Sequence, residues 1–236
     1  MFNPNHDSFY KTYANQTLDW LPMDTEDLYK KNLKENYNLL GINGWLDHTF
    51  TYKFNSHGFR SDEFSTDPTI MFLGCSNTCG IGLPHDSIWP ELVSKKLSMR
   101  CANLGIGGAS SDTAFRLCNG WVDRINPQIL ILLRPYPHRL ELLDSTAIFN
   151  LSLAWDNLDD TIYKFLKKWS IDDNNSYFND LKNHLAIQHI CASRNIKFLS
   201  LEPRQLYQNH MDKARDLMHG GKNSNKMFAD TVLSKL

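Results

Sequence analysis

Long apolar runs are missing from this chain. The longest purely aliphatic stretch is Ile129-Leu130-Ile131-Leu132-Leu133, and a bilayer span needs ~20 apolar residues. No membrane span is therefore expected. An excess of either charge is also missing: 25 Lys+Arg face 26 Asp+Glu, for a formal net charge of −1. That balance argues against a surface built to wrap nucleic acid or to hold a membrane electrostatically. The first residues, Met1 to Tyr13, carry neither a basic stretch nor an apolar core. A secretory signal is not expected, and the expected location is cytoplasmic or virion-associated. Cysteine is scarce, with five residues and no CxxC pair. Cys75, Cys79, Cys101, Cys118 and Cys191 read as reduced thiols, not as a disulfide framework. Cys75 and Cys79 lack a second ligand pair nearby, so no metal is expected. No cofactor motif, internal repeat or low-complexity segment stands out.

What is present suffices for a sizeable core: 42% hydrophobic and 12% aromatic residues. The first ~65 residues differ in rhythm from the rest. Residues 25–40 read as a helix capped by Thr25 and ended by Gly41. Thr49–Phe54 alternates like a strand, and residues 55–58 read as a turn. From Thr69 onward strands and helices alternate. Strands are expected at 69–73, 101–104, 128–133 and 197–201. Helices are expected at 87–98 (with Ser87 as cap), 111–124, 177–193 and about 223 to the end. Residues 140–176 interrupt this order. Trp155, Leu158, Ile162, Phe165, Leu166 and Trp169 keep helical spacing, so the segment reads as a helical insertion with both tryptophans in its core. His184 and His189 read as helix-surface residues. The alternation predicts an α/β fold, a three-layer α/β/α sandwich on a flavodoxin-like parallel sheet. Two parts are expected: an N-terminal arm, 1–65, with an anchoring or packing role, and an α/β domain, 66–236.

In such sheets chemistry gathers at the carboxyl ends of the strands, which singles out three loops. Gly74-Cys75-Ser76-Asn77-Thr78-Cys79-Gly80 follows the first core strand. It lacks the lysine of a P-loop and the second glycine of a G-x-S-x-G elbow. Ser76 there reads either as a turn residue or as an exposed hydroxyl beside free N–H groups. The second loop, at the second strand, is Asn103-Leu104-Gly105-Ile106-Gly107-Gly108-Ala109-Ser110. Its glycines permit either tight strand-to-helix packing or close approach to a ligand. Asp216 and His219, three apart before the last helix, can form an acid–imidazole pair or remain solvated.

Taken in chain order, these loops resemble the blocks of the SGNH (GDSL-like) hydrolase family over residues 69–236. The loop at 74–83 is similar to G-D-S-x-T-x-G-x-G, the segment at 103–111 to the glycine block, and the tail from Asp216 to the D-x-x-H block. The segment Asn55-Ser56-His57-Gly58-Phe59-Arg60 resembles one found ahead of the first block in bacterial and phage members. The resemblance implies a Ser76 nucleophile, a His219 base, an Asp216 orienting acid and a Gly108 oxyanion donor. Asn77, beside the nucleophile, joins the substrate-binding set. It further implies an esterase acting on a small-molecule or glycan acyl ester, short O-acetyl groups on carbohydrate first among them. Two positions depart from the family pattern. Cys75 stands where the family has Asp. After the third strand, residues 133–139 hold no Asn to complete the oxyanion hole, and losing one such donor costs ~2.7–4 kcal/mol. Arg134 or His138 could supply it. The rival expectation is a weak or inactive binding module that keeps the fold, with a protein partner at the arm or the insertion, as in a virion or surface-glycan assembly.

Overall fold

The computed structural model describes residues 13–47, 49–65, 67–143, 148–152, 158–172, 174–204 and 211–236. Its centre is a four-stranded parallel sheet. The strands are β3 (Thr69–Leu73), β4 (Arg100–Asn103), β5 (Ile129–Leu133) and β8 (Lys197–Leu201), in the order β4-β3-β5-β8. Each runs parallel to its neighbours: Phe72 pairs with Asn103 on one side and Ile131 on the other. This is a flavodoxin-type order, in which the chain starts inside the sheet, steps outward, then returns to the other side.

The two-residue period of β3 and β5 builds two cores. Met71, Leu73, Leu130 and Leu132 point to one face. There they meet α5 (Ser111–Ile125) and α7 (Asn175–Ser193) through Leu117, Trp121 and Ile187. Ile70, Phe72, Ile131 and Leu133 point to the other face. There they meet α4 (Trp89–Leu97) and α8 (Lys222–Leu233) through Trp89, Val93 and Phe228. Helices on both faces of a parallel sheet make the expected three-layer sandwich.

The N-terminal segment departs from expectation in detail. The helix read over 25–40 is two: α1 (Glu26–Glu35), capped by Thr25, and α2 (Tyr37–Ile42). Asn36, whose φ and ψ are −131° and 29°, breaks them apart, so Gly41 lies inside α2 and not beyond it. Of the strand expected at 49–54, Tyr52–Lys53 (β2) pairs, antiparallel to Thr17–Leu18 (β1). Ser87 lies in a 3₁₀ turn, His85–Ser87, and Ile88 occupies the cap position of α4.

The insertion is also corrected. Its first half is an antiparallel hairpin, β6 (Arg139–Leu143) with β7 (Ile148–Ser152). Helix α6 (Asp160–Lys167) follows and closes in a π-helical turn, Lys168–Asp172. Leu166 is buried, but Ile162 and Phe165 are exposed, so the apolar stripe read from the sequence is only partly covered. Trp169 is half-buried, and Trp155 lies outside the described residues. Among the described residues no helix is long and apolar enough to cross a membrane.

Candidate active site

The loop after β3 turns at once into a single helical turn, α3 (Ser76–Cys79). Cys75 caps it in extended conformation, and its carbonyl accepts from both Thr78 N–H and Cys79 N–H at 2.9 Å. Ser76 therefore stands at the carboxyl edge of the sheet with its hydroxyl projecting from a rigid turn. The loop after β4 is stitched to it. Ile106 N–H donates to the Gly74 carbonyl (3.1 Å), and the Asn103 amide donates to the Thr78 carbonyl (2.9 Å). Gly105 makes this approach possible, because a Cβ there would lie 2.5 Å from Cys79 N and 2.7 Å from the Thr78 carbonyl carbon. Three residues further on, Gly108 is half-buried at φ +76°. Among the described residues no acceptor takes up the N–H of Ser76 or of Gly108.

The third loop is shaped by its own carboxylates. Asp216 Oδ1 accepts from the backbone N–H of Met218 and of His219, both at 3.0 Å. That leaves Oδ2 for the imidazole, which donates to it from Nδ1. The opposite ring nitrogen, Nε2, lies 2.8 Å from Ser76 Oγ across 143 positions of sequence. With Asp216 ionised, Nδ1 carries the ring proton and Nε2 is the free base facing the hydroxyl. Ser76, Asp216 and His219 are 3%, 2% and 6% exposed, so the chain of hydrogen bonds sits where water competes little. Asp212 closes the loop from behind by accepting from Asn223 and Ser224 N–H at the start of α8.

The other expected residues fall differently. Asn77 is buried, with its amide 4.0 Å from Cys75 Sγ. Arg134 has its two terminal nitrogens held by Asp180 of α7 and Glu202 beyond β8, while its buried Nε has no hydrogen-bond partner among the described residues. Two carboxylates on that flank outcompete an uncharged site for a guanidinium. The His138 ring stacks near Tyr136, centroids 5.5 Å apart, and burial holds its basicity below the ordinary value. His184 is half-buried against Ser200, not a surface residue, whereas His189 is exposed. Among the described residues no group of three or more His, Cys, Asp and Glu is placed to hold a metal.

Sequence reasoning missed the support behind the site. Arg60, 1% exposed, donates to the carbonyl of Cys79 at the end of α3 and to those of Gly80 and Leu83 beyond it. The signal for it was the Gly58-Phe59-Arg60 match, which carried no role of its own. The buried pair of Arg116 and Glu141 had no signal at all, since its halves lie 25 residues apart in an unremarkable sequence.

No protein-family model matches the sequence, and no curated protein matches it. Solved structures do align. One is a psychrotrophic esterase from a Pseudoalteromonas species, 14% identical, covering 71% of this chain and 96% of its own, with a TM-score of 0.39. Another is a family 3 carbohydrate esterase from Clostridium thermocellum, 14% identical, covering 71% and 94%, with a TM-score of 0.37. A third is a carbohydrate esterase family 2 enzyme from Corynascus thermopiles with its carbohydrate-binding domain, 10% identical, covering 80% and 70%, with a TM-score of 0.40.

Proposed function

We propose that this protein is a serine esterase that hydrolyses short acyl esters, O-acetyl groups on carbohydrate among them. One observation carries the reading: Ser76, His219 and Asp216, from loops 140 residues apart, form one continuous hydrogen-bonded line at the carboxyl edge of the sheet. In this reading Ser76 Oγ attacks the ester carbonyl while its proton passes to His219 Nε2. Asp216 holds the ring's orientation and stabilises the imidazolium. The N–H groups of Ser76 and Gly108 face the developing oxyanion. His219 then protonates the leaving alcohol, and water, activated by the same ring, releases the acyl group. Residues 13–65 act as a packing arm: Leu40 and Trp45 share a buried cluster with Leu83, Ile88 and Ala214.

The test is hydrolysis of p-nitrophenyl acetate together with fluorophosphonate labelling at Ser76. Both are expected, and both should vanish in Ser76→Ala. Protein that neither turns over nor is labelled overturns the reading. A second reading, a weak or inactive binding module, is favoured by one feature. Arg134, the leading candidate for the missing oxyanion donor, is committed to Asp180 and Glu202. Labelling at Ser76 without turnover would select it.

A further inference from the structure

Two loops flank the proposed triad: residues 80–83 continue from α3, which holds Ser76, and residues 212–219 hold the acid and base. Both are gripped from the N-terminal segment by residues the chemistry does not touch. Asp24 is 1% exposed and lies 191 positions from its partner, Arg215. Arg215 Nε donates to it at 3.1 Å and a terminal nitrogen at 2.7 Å. The guanidinium is clamped between the rings of Trp20 and Phe50, 4.0 Å from each centroid. The Tyr52 hydroxyl donates to the same Asp24 carboxylate and accepts the N–H of Gly82 at 2.8 Å. Gly82 in turn accepts from Arg215 N–H at 3.0 Å. The ring is closed: Asp24 to Arg215, Arg215 to Gly82, Gly82 to Tyr52, Tyr52 to Asp24.

This ring abuts the triad acid. Arg215 precedes Asp216 in the chain. Gly82, at φ +81°, runs so close that a Cβ on it would lie 2.7 Å from Ala214 Cβ and 3.2 Å from Asp216 Oδ1. Moving Asp24 therefore moves both walls against which the Asp216 carboxylate rests. A buried ion pair is a poor device for stability alone, since apolar groups of the same volume do as well or better. It is a good device for fixing one geometry, because each charge is held from a second side, Arg215 by the Asp19 carbonyl at 2.9 Å and Asp24 by the Tyr52 hydroxyl.

We propose that Asp24 is a positioning residue for the Asp216–His219 pair, acting through Arg215 and through the Tyr52–Gly82 bridge. The kinetic arm of this proposal rests on the esterase reading; the spectroscopic arm does not. The experiment uses the full chain with Asp24→Asn and Tyr52→Phe. The second variant keeps the ring under the Arg60 guanidinium (4.5 Å) and removes only the bridging hydroxyl. Both should lower kcat on p-nitrophenyl acetate about 10–100-fold, with KM within about twofold, as misplacement of a catalytic group does. Fluorophosphonate labelling should slow in parallel. In proton NMR the low-field resonance of His219 Nδ1–H, assigned by its loss in His219→Gln, should move or broaden. Folded variants with lower melting temperature but unchanged kcat and an unmoved resonance overturn the proposal. If the wild type neither turns over nor labels, the esterase reading falls and the resonance alone decides this one. If Asp24→Asn does not fold, Tyr52→Phe decides.

Discussion

On the esterase reading Ser76 and His219 act as one unit, because Nε2 is the base that meets Oγ, at 2.8 Å. Removing either leaves the other without its task. Ser76→Ala and His219→Ala should each cost about 10⁴–10⁶ in kcat, and the double variant no more than the worse single. Additive losses would break the assignment; steady-state kinetics on the three proteins checks it. Glu91 gives a residue-scale prediction of another kind. Burial pushes its carboxyl up from 4.5 to about 7, next to a His85 ring whose basicity burial lowers. The folded state thus binds this proton more tightly than the unfolded chain. The favourable contribution is complete below about 4.5 and is lost as pH rises through about 7. Glu91→Gln should match the wild type at pH 4 and exceed it by about 1–3 kcal/mol above pH 8, a range discounted for partial exposure. Urea denaturation at both pH values reads the difference, and a pH-independent gap refutes it.

At the scale of elements, the sheet was legible and its attachments were not. TIMFL at 69–73 and ILILL at 129–133 are continuous apolar runs, and a strand buried on both faces requires such runs. The loops that follow them were legible for the same reason, since strand ends fix where chemistry can sit. The insertion misled because Ile162 and Phe165 keep helical spacing without being buried. Its hairpin was hidden because β6 and β7 are held by polar groups that periodicity does not see. Glu141 accepts from Arg116 at 2.7 and 3.0 Å and from the Thr113 hydroxyl at 2.6 Å, all buried. Glu141→Ala would remove the buried carboxylate that takes two hydrogen bonds from the Arg116 guanidinium and should cost about 3–5 kcal/mol. Adding Arg116→Met should recover much of that loss, because the buried positive charge goes with the carboxylate that faced it. Melting curves of the single and double variants test this; an additive double shows that the pair is not what anchors the hairpin.

For the whole molecule, the question is whether the arm and the α/β domain unfold as one. The sequence changes rhythm near residue 65, but physical contacts cross that point at the site. The Trp45 indole donates to the Lys213 carbonyl at 2.7 Å, and Asn43 accepts from Lys213 N–H at 2.6 Å. Arg60 reaches three carbonyls at and beyond the end of α3, and Asp24 holds Arg215. No composition or period shows such links, because each joins residues far apart in the chain through a single side chain. They place the most buried polar groups of the arm against the loops with the least secondary structure of their own. Loops 80–83 and 212–219 therefore have no route to open without releasing the arm. Native-state hydrogen exchange should show peptides from 40–60 and from 212–221 opening with the same free energy, near that of global unfolding. Asp24→Asn should lower both by the same amount, while leaving the α5 peptides less affected. Exchange in 212–221 that is markedly faster than in 40–60, and indifferent to Asp24, would mean that the acid–base loop opens by itself and that the arm only leans on it.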